Sequence, residues 1–310
     1  MRKNLLIGAI TNYTWDDIAP FFNSYIQAGF ENCECVMFTG NMPEATLDKM
    51  RSYGVNVQPI PEKLLSGRII NIRWKIYANF LKNNTDKYNM VLTADIRDVF
   101  FQSDLFQHYD PDKSFLGVAL EDWPIYRDQI YNSRWIIDAY GDDVYQKIKD
   151  EMIICVGTVW GKAEEFLKYS QIMSDILNSE WAAQLNVIEQ GVGNYIIYHD
   201  KMFADVLSPS TNADGYVMTI GLTDSKDIHT DSAGNVLNGK GEIASVVHQY
   251  DRKPAVIDIV VRKYGAGMSA FSKAKLKHTC DNIGRVLRFL SRVHRRGFFR
   301  SVFEAVKRRI

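Results

Sequence analysis

The stretch Val91-Leu92-Thr93-Ala94-Asp95-Ile96-Arg97-Asp98-Val99-Phe100-Phe101 sets the tightest limit on what this chain can fold into. Val91 and Leu92, followed by small residues, predict the end of a buried strand, and in open α/β sheets ligands collect at the carboxyl ends of strands. Asp95 and Asp98 are therefore expected at a cleft. Two carboxylates that close repel each other unless a cation or a strong set of donors lies between them. A hard divalent ion with oxygen ligands is the simplest such cation. The competing reading is structural: Asp98 caps a turn and Asp95 pairs with Arg97.

The rest of the chain supplies the sheet that this reading needs. Asn4 to Ile10 predicts a first buried strand, followed by polar Thr11-Asn12-Tyr13 and a helix from Asp16-Asp17 to about Ala28, with Gly29 as its stop. Cys35 to Phe38 and Val55 to Ile60 predict two further strands, with a helix opened by Pro43 between them. A helix over Arg68–Asn83 places Ile69, Ile72, Ile76 and Phe80 on one face, with Arg73 and Lys75 projecting elsewhere. Strands are also expected at Ser114–Leu120, Ile153–Gly157, Met202–Leu207 and Ile243–Val247, and helices at Ala163–Leu177 and Trp181–His199. The aromatic, polar region up to Tyr140 reads as an irregular insertion, and Thr211–Gly241 as turns or a mobile loop. Alternating strands and helices predict a mostly parallel sheet with helices on its faces, an α/β fold.

With 310 residues and 46% hydrophobic content, the chain can bury a sizeable core. No apolar run is long enough to cross a bilayer, and neither a signal peptide nor a transmembrane helix is expected. Cys33, Cys35, Cys155 and Cys280 are too scattered for a zinc site or disulfide framework, which fits a reducing cytosol. The formal net charge of zero hides an asymmetry. Residues 262–310 carry fourteen Lys and Arg against Asp281 and Glu304, a net of +12, so residues 1–261 carry −12. A boundary at 261/262 is expected between a catalytic domain and a basic tail.

His248 follows the last apolar run. Joined to Asp95 and Asp98, it gives a mixed oxygen and imidazole shell that suits Mn²⁺ or Mg²⁺ better than Zn²⁺. Such an ion neutralises the charge that builds on a departing diphosphate. A first strand ending in Thr11-Asn12-Tyr13, an Arg-bearing helix, the aspartate strand, the Gly157 strand, Glu189-Gln190 and His248 follow one another in the order of a nucleotide-sugar glycosyltransferase of the GT-A fold, and residues 4–256 resemble that family. Its usual Asp-any-Asp motif has one extra residue here, Asp95-Ile96-Arg97-Asp98. Glu189-Gln190-Gly191-Val192-Gly193-Asn194 is similar to the Asp-Gln-Asp-x-x-Asn motif of the retaining, glycogenin-like and lipopolysaccharide galactosyltransferase-like branch, and His248 with Lys253-Pro254 is similar to its His…Lys-Pro signature.

The resemblance implies Asp95, Asp98 and His248 as metal ligands and Lys253 as a phosphate contact. It implies Gln190 near the reacting sugar carbon and Glu189 near the donor sugar or acceptor hydroxyls. Arg73 or Lys75 would reach the donor, for which a UDP-sugar is expected, and Thr11, Asn12 and Tyr13 would border its base and ribose. An inverting enzyme would need a carboxylate base, with Glu189, Asp122 or Asp251 as candidates; retention, in which the leaving phosphate takes the acceptor proton, is favoured by the Glu-Gln motif. Trp123, Tyr126, Tyr131 and Trp135 would offer an acceptor platform. Each of these positions also has a bland reading, as core packing or a solvated helix face.

In the tail, apolar residues at 283, 286, 287, 290 and 293 alternate with Arg285, Arg288, Arg292, Arg295 and Arg296. An amphipathic basic segment of this kind suits an anionic membrane surface; packing on the body or on a second subunit is the alternative. No nucleic-acid motif accompanies the charge. The expected protein is a metal-dependent glycosyltransferase at the cytoplasmic face of a membrane, acting on a glycan or glycolipid in cell-surface polysaccharide synthesis. The rival readings are a sugar nucleotidyltransferase, disfavoured by the lack of a Gly-rich phosphate loop with a following Lys, and a non-catalytic membrane adaptor that retains the fold.

Overall fold

The computed structural model describes residues 2–185 and 187–265, and the tail expected to bind membranes lies, from residue 266 onward, outside the described residues. The chain alternates as the apolar pattern requires. Strand β1 (Lys3–Ile10) leads to α1 (Trp15–Ala28), β2 (Cys33–Thr39), α2 (Glu44–Ser52), β3 (Asn56–Pro59), α3 (Ile69–Lys82) and β4 (Tyr88–Ala94). Asp17 starts α1 by accepting the Thr14 backbone N–H at 2.9 Å, and Gly29, at φ 66°, ends it in the left-handed conformation that glycine takes without a Cβ clash.

Short β5 (Val99–Phe101) follows the aspartate turn, and β6 (Leu116–Pro124), α4 (Asn132–Tyr140), α5 (Asp142–Ile148), β7 (Met152–Lys162) and α6 (Ala163–Leu177) come next. The chain continues through α7 (Glu180–Leu185), α8 (Glu189–Asn194), β8 (Leu207–Ser210), β9 (Val217–Thr219), the small β10 (His229–Thr230) and β11 (Val236–Leu237) pair, β12 (Val246–His248) and α9 (Pro254–Tyr264). Among the described residues, no helix is long and apolar enough to cross a membrane.

The central sheet has the order β3-β2-β1-β4-β7-β6-β8. Only β7 runs against the other six strands, so the sheet is mostly parallel, with helices on its faces. Its strands are buried on both sides. Leu5 and Ile7 join one core with Trp74, Tyr77 and Phe166 of α3 and α6, while Leu6 faces Phe21 and Phe22 of α1 on the other side. Residues that alternate along a strand must face opposite layers, which is why these strands read as continuous apolar runs.

Four local expectations change. The "irregular" stretch before Tyr140 contains α4, whose Ile136 packs with Ile125, Ile148 and Ile153. Trp181–His199 is not one helix, because α7 and α8 are separate and Tyr195–His199 widens into a π-helical turn. Residues Met202–Val206 form turns, and the strand begins only at Leu207. Thr211–Gly241 supplies β9, which pairs with β12 in a three-stranded sheet of order β5-β12-β9. Runs of three or four residues take their strand character from a tertiary partner, and periodicity cannot register that.

Candidate active site

Backbone pairing gathers the candidate residues from distant parts of the chain. The N–H of Asp95, just beyond β4, donates to the Gly157 carbonyl at 2.8 Å. β12 lies antiparallel to β5 with His248 opposite Val99, and the next N–H, that of Gln249, donates to the Asp98 carbonyl at 2.8 Å. His248 is thereby fixed beside the residue that precedes Val99. Gly157 leaves the room for this, since a Cβ there would stand 2.4 Å from His248 Cε1 and 2.7 Å from Asp95 Oδ2.

The strand that carries Gly157 is bulged. Val118 pairs with Val159 but Ala119 pairs with Cys155, so Val156-Gly157-Thr158 are extra residues on β7 that swing toward the aspartates. Asn194 of α8 steadies the strand beside the bulge. Its amide accepts from the Ile154 N–H and donates to the Ile154 carbonyl, both at 3.0 Å.

The imidazole of His248 is 1% exposed. Its Nδ1 lies 3.4 Å from both Cys155 Sγ and Thr158 Oγ1, while Nε2 lies 3.5 Å from Asp95 Oδ2 and 3.7 Å from Asp98 Oδ1. Among the described residues Nε2 has no partner at hydrogen-bond geometry, only these two longer ion-pair approaches. A buried, unbonded ring nitrogen is costly unless something else satisfies it. One ligand atom from each of Asp95, Asp98 and His248 lies within 4.8 Å of the others, a donor set that fits a divalent cation such as Mn²⁺ or Mg²⁺. Asp95, with its side chain 37% exposed, is the side of the cluster open to a ligand.

Arg73 departs from its expected place. It is buried and spends its guanidinium on neighbours: a two-pronged pair with Glu189 at 2.9 and 2.7 Å, Asp95 Oδ1 at 2.5 Å, and the Val156 carbonyl at 3.1 Å. Trp74, the next residue on α3, donates its indole N–H to Glu189 at 2.5 Å. Glu189 is therefore held on both oxygens inside the fold. Burial pushes its carboxyl up to about 7 against the pull of Arg73. At Asp95 burial also opposes the charge, but Arg73 and His248 outweigh it and hold the carboxyl well below the usual carboxylate range. At Asp98 burial prevails and raises the carboxyl, with Asp251 and Asp95 adding to it against His248 and Arg97.

Gln190 donates to Asn132 Oδ1 at 2.9 Å and stands 3.4 Å from Glu121 Oε1. Glu121 is buried, and burial drives its carboxyl up to about 7. It was not singled out from the sequence, although it follows the apolar run of β6 just as Asp95 follows that of β4. Asp122 accepts from Asn212 at 3.1 Å and from Thr223, and Asp251 accepts from Arg97 at 2.7 Å.

The strand-end triplet is split. Tyr13 is half-buried; burial raises its phenol, and Arg97, Asp98 and Asp95 all bear on it, so it borders the cluster. Thr11 and Asn12 face Asn41 instead: Thr11 Oγ1 accepts its backbone N–H at 3.1 Å, and Asn12 Oδ1 accepts its side-chain amide at 2.9 Å. Lys253 donates to the Thr223 carbonyl at the start of α9, and Lys75 is half-buried and takes part in none of the Arg73 bonds. Tyr126 and Tyr131 are exposed, and Tyr131 leans on Trp135 with ring centres 5.7 Å apart.

No family model and no curated protein matches the chain. Solved structures similar to it include an active-site mutant of LgtC, at 15% identity over 79% of this chain and 86% of that one, with a TM-score of 0.46. Another is the galactosyltransferase LgtC in complex with donor and acceptor sugar analogues, at 17% identity over 84% and 95% of the two chains, again with a TM-score of 0.46. The glycosyltransferase GlyE of Streptococcus pneumoniae TIGR4 is similar at 14% identity over 67% of this chain and 45% of its own, with a TM-score of 0.41.

Proposed function

We propose that the chain is a GT-A glycosyltransferase that moves a sugar from a nucleotide-diphosphate sugar, a UDP-sugar in the first instance, to a glycan or glycolipid acceptor with the help of Mn²⁺ or Mg²⁺. The observation that carries this reading is Nε2 of buried His248, which faces one oxygen each of Asp95 and Asp98 at the ends of sheet strands, too far for a hydrogen bond to either. Asp95, Asp98 and His248 would hold the cation. When bound, it would neutralise charge gathering on the departing diphosphate.

The chain's own residues divide the remaining work. Arg73, itself gripped by Glu189, fixes one oxygen of Asp95, and Tyr13 borders the side where the nucleotide would lie. Gln190, next to Glu189 in the chain, is steadied by Asn132, which follows exposed Tyr131 in a segment that with Tyr126 would receive the acceptor. Both oxygens of Glu189 are already engaged by Arg73 and Trp74, so neither is turned to an incoming hydroxyl. That favours retention, with the acceptor proton passing to the leaving phosphate.

Isothermal titration of UDP with and without Mn²⁺ tests the reading. Binding is expected only with the metal and is expected to disappear in Asp98→Ala. Metal-independent binding, or none in the unaltered chain, would point instead to a protein that retains the fold without the activity.

A further inference from the structure

The extra residue between the two aspartates, Arg97, sits where the cation reading gives it no task. Its guanidinium is 34% exposed, with Nη1 2.7 Å from Asp251 Oδ2 and Nη2 3.5 Å from Asp98 Oδ2. The other Asp98 oxygen, Oδ1, is the one that faces His248 Nε2. Asp95 repeats the pattern, with Oδ1 on Arg73 and Oδ2 toward His248. Each aspartate thus has one oxygen engaged by an arginine and one turned to the imidazole.

We propose that Arg97 is a positioning residue of the cation site. Anchored on buried Asp251, it occupies one oxygen of Asp98, commits the other to the cation, and so favours an ion that takes one oxygen per carboxylate. Ca²⁺ takes six to eight oxygens and commonly both of a carboxylate, whereas smaller ions of octahedral habit take one from each. Groups behind metal ligands orient them in this way and are worth about 10–100-fold in metal affinity. The inference rests on the cation reading above and deepens it, from the presence of an ion to the choice among ions.

The test is Mn²⁺ binding to the full chain, followed by the loss of the free-ion paramagnetic resonance signal, with Ca²⁺ as competitor. The unaltered chain is expected to take up Mn²⁺ and to release it poorly to Ca²⁺. Arg97→Met should weaken Mn²⁺ by about tenfold or more and narrow the preference over Ca²⁺. Arg97→Lys, which restores charge without the planar fork, should recover part of the affinity. If Arg97→Met keeps both the affinity and the preference within about twofold, far short of what an outer partner is worth, the proposal is overturned while the cation reading stands. A failure of the unaltered chain to bind Mn²⁺ overturns both. Should Arg97→Met not fold, Asp251→Asn removes the anchor but keeps the arginine; the preference should narrow there too, and an unchanged preference overturns the proposal.

Discussion

Arg73 and Arg97 each stand between two acidic side chains, but the two groups they build differ in what they leave unsatisfied. Arg73 is buried and four of its five guanidinium N–H groups are engaged: two grip the oxygens of Glu189, to which Trp74 adds a further donor, one reaches Asp95, and one goes to the Val156 carbonyl. Arg97 lies nearer the surface and its hold on Asp98 is longer, which leaves an Asp98 oxygen turned to an imidazole nitrogen without a bond. A densely bonded network holds elements in place. An unsaturated one beside it gains free energy from an incoming ion, because the cost of burial has been met and the bonds are still to be made.

The comparison breaks most visibly at Gly157. In Gly157→Ala the new Cβ would displace His248 and Asp95, and metal-dependent UDP binding should fall by more than about a hundredfold, beyond the cost of losing a ligand's outer partner. The chain should still unfold cooperatively in urea. Binding retained at the original strength would mean that His248 and Asp95 do not hold the ion together.

At Arg73 the expected loss is of stability. Arg73→Met strands the carboxylate of Glu189 in the interior, and removing one partner of a buried pair costs about 3–5 kcal/mol. The part due to Asp95 is smaller, since that side chain is 37% exposed and solvent screens it. Urea unfolding should show the loss. A cost no greater than that of Arg97→Met would erase the distinction between a closed network and an open one.

The smallest effect is a pH dependence. Glu121 has its folded pKa raised from 4.5 to about 7 by burial, so the native state holds a proton that the unfolded chain has released. The stabilisation is whole below about pH 4.5 and is lost as pH rises through about 7. Glu121→Gln keeps a neutral hydrogen-bonding group there. The variant should therefore gain on the unaltered chain between pH 5 and 8, by on the order of 2 kcal/mol. Parallel stability curves would show that Glu121 titrates normally and that the pocket beside Gln190 is wetter than its burial implies.

Much of the site was legible because strand ends announce themselves. Asp95 and His248 follow apolar runs, Asp98 stands just before one, and the helix bearing Arg73 has a clear period. What each side chain does on arrival was less legible. Arg73 read as projecting from its helix, yet it turns into the protein, because Glu189 lies 116 positions away in sequence and close in space. Nothing in either helix signals that meeting. Asn194 matched a motif position, but its task of pairing with the backbone of Ile154 beside a bulge depends on a bulge that has no periodic mark.

The sequence alone determined the alternation of buried strands and helices, and with it the mostly parallel sheet, because hydrophobic period and strand termination are local properties. It also determined which residue types stand at the strand ends. The tertiary structure decided which carboxylate is engaged on both oxygens, as Glu189 is, and which keep one oxygen turned to His248, as Asp95 and Asp98 do. That follows from the reversed direction of β7, from the register that sets His248 opposite Val99, and from the space left at Gly157, all of which are long-range pairings that no local pattern encodes.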